Sequence, residues 1–147
     1  MSISLQEVLH AEIPITKAMG VCVVEESSSS LTLSAPLENN INHKCTAFGG
    51  SLYSISVLSG WGLLYLLMKE RGLTGHIVIQ ESNIQYIKPV TDIITSTCTF
   101  NSSSHADKFV SMFQRKGIAR IKLESRISDE FGTQVLFTGQ FVAHQHQ

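Results

Sequence analysis

The chain has 147 residues, 16% of them charged and 43% hydrophobic, with a net charge of −1. That length suits one domain over residues 1–147 with a substantial core, and the charge balance excludes bulk nucleic-acid binding. Cys22, Cys45 and Cys98 are scattered and odd in number, which is neither a disulfide framework nor a zinc pattern and fits a reducing cytoplasm.

The N-terminus lacks a basic segment followed by an apolar run, so no secretory signal is expected. Ser4 and Glu7 have capping-box spacing, and a short helix through Leu5, Val8 and Leu9 should end before Pro14. Residues 21–24 read as a strand, 25–30 as a polar turn, and Leu31, Leu33 and Ala35 as the inward face of a second strand, which gives a hairpin. A polar loop over 37–44 carries three asparagines and leads into the stretch that dominates the chain.

Between Lys44 and Lys69 no residue is charged. From Gly49 onward the apolar positions cover every side of a helix, as in a membrane span or the centre of a core. The remaining chain reads as strands with alternating faces, which need something to wrap, so the reading is a core helix and no membrane span is expected. Gly60 and Gly62 would let sheet and helix approach closely, and Gly72 is the expected C-terminal cap. The next strand runs over 76–88. Its apolar phase slips from Ile77 and Ile79 to Ile84 and Tyr86, which predicts a bulge around Glu81, Ser82 and Asn83. Ile94, Cys98 and Phe100 mark another strand. Residues 101–104 cap a short helix with Ala106, Phe109, Val110 and Phe113 on one face. Ala119, Ile121, Leu123 and Ile127 alternate with charged residues, and Val135, Phe137, Phe141 and Ala143 form the last strand. Antiparallel strands around one buried helix make an α+β fold.

This order resembles the hotdog fold, a single antiparallel sheet wrapped around a long central helix. Many hotdog thioesterases carry an asparagine and, six residues on, a His-Gly-Gly that opens the central helix; Asn42 and Phe48-Gly49-Gly50 have that spacing. The segment SNIQYIKPV, residues 82–90, resembles the strand and proline that follow the helix in those enzymes. The sequence FGGSLYSISVLSGWGLLYL resembles most closely a bacterial thioesterase domain found fused, in some proteins, behind an acetyltransferase domain. The resemblance implies an enzyme of fatty-acid metabolism acting on a thioester of acyl carrier protein or CoA, needing no cofactor and assembling as a homodimer or larger homo-oligomer.

The chain departs from that pattern at two places. Phe48 stands where the family has histidine, and Val57 stands nine positions on, where ordinary hotdog thioesterases have a carboxylate. The expected catalytic residues are therefore Asn42 and the Gly50 N–H as oxyanion donors, with Glu81 as general base if it faces the helix and a solvent-facing bulge residue if it does not. Phe48, Gly49, Ser51, Val57, Ser82 and Asn83 would line the acyl site. Arg115, Lys116 and Arg120, with Lys122 and Arg126 nearby, are either a solvated strand face or a dock for an acidic carrier or CoA phosphates. His43 could serve as a base, though a loop histidine beside a lysine is more often a solvated surface group; Cys45 could be a nucleophile but has no local partner to activate it; and the six histidines show no metal-ligand spacing. Two reactions compete: hydrolysis, which leads on the family resemblance, and decarboxylation of a malonyl thioester, which needs an enolate held by the same donors and no base. A non-catalytic acyl-binding hotdog is the third reading.

Overall fold

The computed structural model describes residues 3–146. Helix α1 (Leu5–Glu12) is capped by Ser4, whose hydroxyl accepts the Glu7 N–H at 3.2 Å. Pro14 ends it and also opens a second helix, α2 (Ile15–Met19), closed by Gly20 at φ 73°. Helix α2 is additional to the elements expected from the sequence. Its signals were the proline, whose fixed φ suits a first turn, and the glycine at the far end.

Strands β1 (Cys22–Glu26) and β2 (Ser30–Ala35) form the expected hairpin. A 3₁₀ turn at Glu38–Asn40 precedes α3 (Gly49–Glu70). Then come β3 (His76–Tyr86), β4 (Ile94–Thr99), α4 (Ser103–Lys116), β5 (Ile118–Asp129) and β6 (Gly132–His144). The six strands make one antiparallel sheet in the order β1-β2-β4-β5-β6-β3, so β1 and β3 are its edges.

Helix α3 lies against this sheet and contacts β2, β3, β4, β5 and β6. It is long and apolar enough to cross a membrane, but its side chains Leu52, Ile55, Leu63, Leu64 and Leu67 are buried in the core instead. They pack with Leu31, Leu33, Ile94, Cys98, Ile121, Leu123, Ile127, Phe137 and Phe141 from the concave face. Close approach depends on small residues. A Cβ on Gly60 would lie 2.6 Å from the Phe141 ring, and one on Gly62 2.6 Å from a Leu31 methyl. Ser59 bonds to Ser96 and Ser125, each at 3.0 Å, so the hydroxyls at this contact are paired although fully buried.

Three features of β3 and α4 differ from expectation. The bulge in β3 falls between Ile79 and Glu81, making Gln80 the extra residue, one position earlier than predicted. The strand ends at Tyr86 because the Ile87 and Lys88 N–H groups both turn to one carbonyl, that of Gln134, at 2.8 and 3.0 Å. Helix α4 has 14 residues, longer than the short helix expected, with Ser102 accepting the His105 N–H and Gly117 closing it at φ 71°.

Candidate active site at the start of the central helix

The segment before α3 is tied down from three sides. Asn40 is buried, and its amide donates to Met19 O at 2.9 Å and Pro36 O at 2.8 Å, joining the 3₁₀ turn to the end of α2. The Asn40 carbonyl accepts the Phe48 N–H at 2.7 Å, and Val90 O accepts the Ala47 N–H at 2.8 Å. Between these anchors the chain makes a tight loop in which Cys45 takes φ 63°. Asn40 was not singled out from the sequence; three asparagines in one polar loop were the only signal.

Asn42 closes that loop. Its Oδ1 accepts the Lys44 N–H at 2.8 Å and the Thr46 N–H at 3.1 Å, while its Nδ2 donates to Thr46 Oγ1 at 2.9 Å and reaches Ala47 O at 3.4 Å. This is the local bonding asparagine uses in turns. The half-buried side chain sits beside the helix start, with one strong and one long donor contact, so one amide hydrogen is weakly held.

At the helix start, Phe48 O accepts the Ser51 and Leu52 N–H groups at 2.9 and 3.1 Å. The Gly49 and Gly50 N–H groups have no partner among the described residues, and Phe48 supplies no side-chain cap. Two uncapped amides at the positive end of a 22-residue helix favour an oxygen carrying negative charge. Aromatic rings flank them. A Cβ on Gly50 would collide with the Phe48 ring, and one on Gly49 would lie 3.5 Å from the Tyr86 ring. The Tyr86 hydroxyl donates to Gly49 O at 2.9 Å. One turn further on, the Tyr53 and Ser82 hydroxyls are 2.6 Å apart. Tyr86 was missed as a site residue, since a contact between residues 37 positions apart leaves no local signature.

Glu81 requires a correction. The bulge at Gln80 resets the phase, so Ser82, Ile84 and Tyr86 follow Ile77 and Ile79 on the helix side. Glu81 is the cross-strand partner of Gln140, and Asn83 that of Thr138; both pairs lie on the outer face. Glu81 is exposed and does not face the helix, which is the solvent-facing alternative of the sequence expectation. Asn83 likewise does not line the helix side, whereas Ser82 does. Ser51 and Val57 are half-buried on α3, and Phe48 is 57% exposed.

The basic residues lie at the other end of the sheet. Arg115 and Lys116 finish α4, while Arg120 and Lys122 project from the outer face of β5; all four are exposed. Arg120 is level with Val142 and, through it, with Val78 near the start of β3. Arg126 pairs with Glu124 at 2.8 Å and is half-exposed, which adds little stability. His76 and His146, far apart in sequence, place ring nitrogens 2.8 Å apart at this same end.

The fold and the uncapped helix start together define the hotdog class. The chain belongs to the family described as "Putative thioesterase (yiiD_Cterm)", whose model matches residues 2–145. A protein of unknown function from Chlorobaculum tepidum TLS is similar over 97% of this chain and 93% of its own, at 36% identity and a TM-score of 0.92. A "putative thioesterase" from Shewanella oneidensis is 30% identical over 95% of this chain and 94% of its own, with a TM-score of 0.86. A "probable thioesterase" from Pseudomonas aeruginosa shares the fold at a TM-score of 0.83 with 16% identity, covering 99% of each chain.

Proposed function

We infer that this chain processes a small acyl thioester borne by acyl carrier protein or CoA, and that its reaction is decarboxylation of a malonyl thioester. The observation that carries this is a pair of free helix-start amides at which none of the three expected positions supplies a base. Phe48 and Val57 stand where a histidine and a carboxylate would activate water, and Glu81 points to the outer face. In the proposed reaction the carbonyl oxygen rests on the Gly49 and Gly50 N–H groups, with Asn42 Nδ2 as a further donor. The bond between Cα and the carboxylate breaks, CO₂ leaves, and the electron pair passes into an enolate whose oxygen charge those donors hold. A proton from water then completes the acetyl thioester. The rings of Phe48 and Tyr86 flank the amides and are more than half exposed in the single chain; covering them in a dimer would assist, because an unsolvated carboxylate is costly to hold.

Hydrolysis is the second reading, favoured by the family description. It would use the same donors on a tetrahedral intermediate and would need water activated by a group outside those described above. The three free thiols suit a reducing compartment such as the cytoplasm.

The working unit of this proposal is a homodimer. Strand β3 is a free edge with no proline and one charged residue, Glu81, and natural sheets rarely leave such an edge uncovered. A second copy pairing antiparallel with it would cover β3 of both copies at once.

Gly49→Pro removes one oxyanion donor at the first helical position, where proline is tolerated, Phe48 before it is already extended and an added Cβ would stay 3.5 Å from its nearest neighbour. It should cut turnover of a malonyl thioester by about 10²-fold or more, whereas Glu81→Gln should change it less than about twofold. The reverse ranking would return Glu81 to the mechanism and hydrolysis to the lead.

A further inference from the structure

Each free amide at the helix start is one half of a peptide unit whose other half is a carbonyl. Resonance links the two halves. A hydrogen bond accepted at the oxygen draws charge from the nitrogen and makes the N–H a stronger donor. The Gly49 N–H shares its peptide with Phe48 O, and that oxygen accepts the Ser51 and Leu52 N–H groups at 2.9 and 3.1 Å. The Gly50 N–H shares its peptide with Gly49 O. Within α3 this oxygen faces the N–H one helical turn on, that of Tyr53. Its further donor comes from outside the helix: the Tyr86 hydroxyl, at 2.9 Å.

Tyr86 is anchored for that contact. It is the last residue of β3, opposite Val135 of β6. The N–H groups of Ile87 and Lys88 are both fixed to Gln134 O, and Gln134 is itself buried, its amide donating to Asp129 at 3.2 Å. A little further on, Val90 O accepts the Ala47 N–H at 2.8 Å. The end of β3 and the turn after it therefore grip the helix start on both sides of Phe48. A water molecule in place of the hydroxyl would have no such anchor.

We propose that Tyr86 is a positioning residue for the oxyanion: its hydroxyl polarises the Gly49–Gly50 peptide and fixes the plane of that peptide, so that the Gly50 N–H is aimed and strengthened before charge develops. This rests on the acyl-thioester reading above. It applies to an enolate and to a tetrahedral intermediate alike, since each places negative charge on the same oxygen. A stronger donor favours the charged oxygen over the neutral carbonyl, so Tyr86 acts on kcat and little on KM.

Tyr86→Phe keeps the ring and removes the hydroxyl. In nuclear magnetic resonance spectra of the free protein, the Gly50 amide nitrogen and proton should both move upfield. Gly49, beside the same ring but polarised through Phe48 O, is the internal reference and should move much less. With a malonyl thioester, kcat should fall about three- to tenfold while KM stays within about twofold. Replacing Tyr86 by 3-fluorotyrosine, whose phenol is the stronger hydrogen-bond donor, should raise kcat above wild type at a pH where both phenols are neutral. A tyrosine that served only to pack the loop would give no such graded order. An unmoved Gly50 amide overturns the proposal, and so does a kcat that fails to rise from phenylalanine through tyrosine to fluorotyrosine. The amide shift is read without substrate, so a protein that shows it and turns over no thioester fails the acyl-thioester reading instead.

Discussion

Asn42 has two jobs in this account, and they can be separated. Its oxygen holds the loop through the Lys44 and Thr46 N–H groups, and its nitrogen donates toward Thr46 Oγ1 and the helix start. Asn42→Asp keeps the acceptor and loses the donor, so circular dichroism should show a folded protein while turnover falls about 10²-fold; a folded variant with full turnover removes Asn42 from the mechanism. The cysteines also differ residue by residue. Burial pushes the Cys98 thiol up to about 11, a hydrogen bond from Ser125 opposing and the charge of Glu124 adding to the rise. Below about pH 9 the thiol is neutral in both folded and unfolded chains. Above it the unfolded thiol ionises while the folded one stays protonated, so stability falls as pH rises from 9 toward 11, by roughly 2–3 kcal/mol in total. Urea unfolding from pH 8 to 11 should show this extra loss in wild type and not in Cys98→Ala; equal losses would contradict it. The Asn42 spacing and the paired glycines were legible in the sequence because spacing along the chain sets them. The Tyr86–Gly49 and Tyr53–Ser82 contacts were not, because they depend on how a strand is laid beside a helix.

At the scale of elements, α3 is a helix built to be enclosed. Alanine at Gly60 would raise intrinsic helix propensity by about 1 kcal/mol, yet its Cβ would lie 2.6 Å from the fully buried Phe141 ring. Overpacking of that kind costs about 1–3 kcal/mol. Gly60→Ala should therefore lower the melting temperature by a few degrees; an increase would mean that helix and sheet have slack between them. The apolar run without charges announced this helix, and the alternation over β2, β5 and β6 announced the sheet that wraps it. The phase slip in β3 announced a bulge but not its residue, since either side of the slip satisfies the same pattern. That one-residue ambiguity decides which way Glu81 points, and with it the candidate base: a strand's period of two turns a shift of one residue into a change of face.

At the scale of the whole molecule, two features lie apart: free amides where α3 begins, basic residues and a cavity where it finishes. Replacing Arg115, Lys116 and Arg120 together by glutamate should raise KM for a carrier-borne substrate about tenfold and leave kcat within about twofold, since exposed charges steer encounter more than chemistry. An unchanged KM, measured at low salt, would mark the cluster as a solvated face. Charge pattern alone left those two roles open in the sequence, because both ask for the same exposed lysines and arginines. The measurement that bears most directly on the central claim is the mass of a malonyl-loaded acyl carrier protein after incubation with this protein. The expected product is acetyl carrier protein, with release of CO₂. Free carrier thiol and malonate would contradict decarboxylation and establish hydrolysis, and an unchanged mass with malonyl, acetyl and longer acyl carriers and their CoA esters would contradict the enzyme altogether.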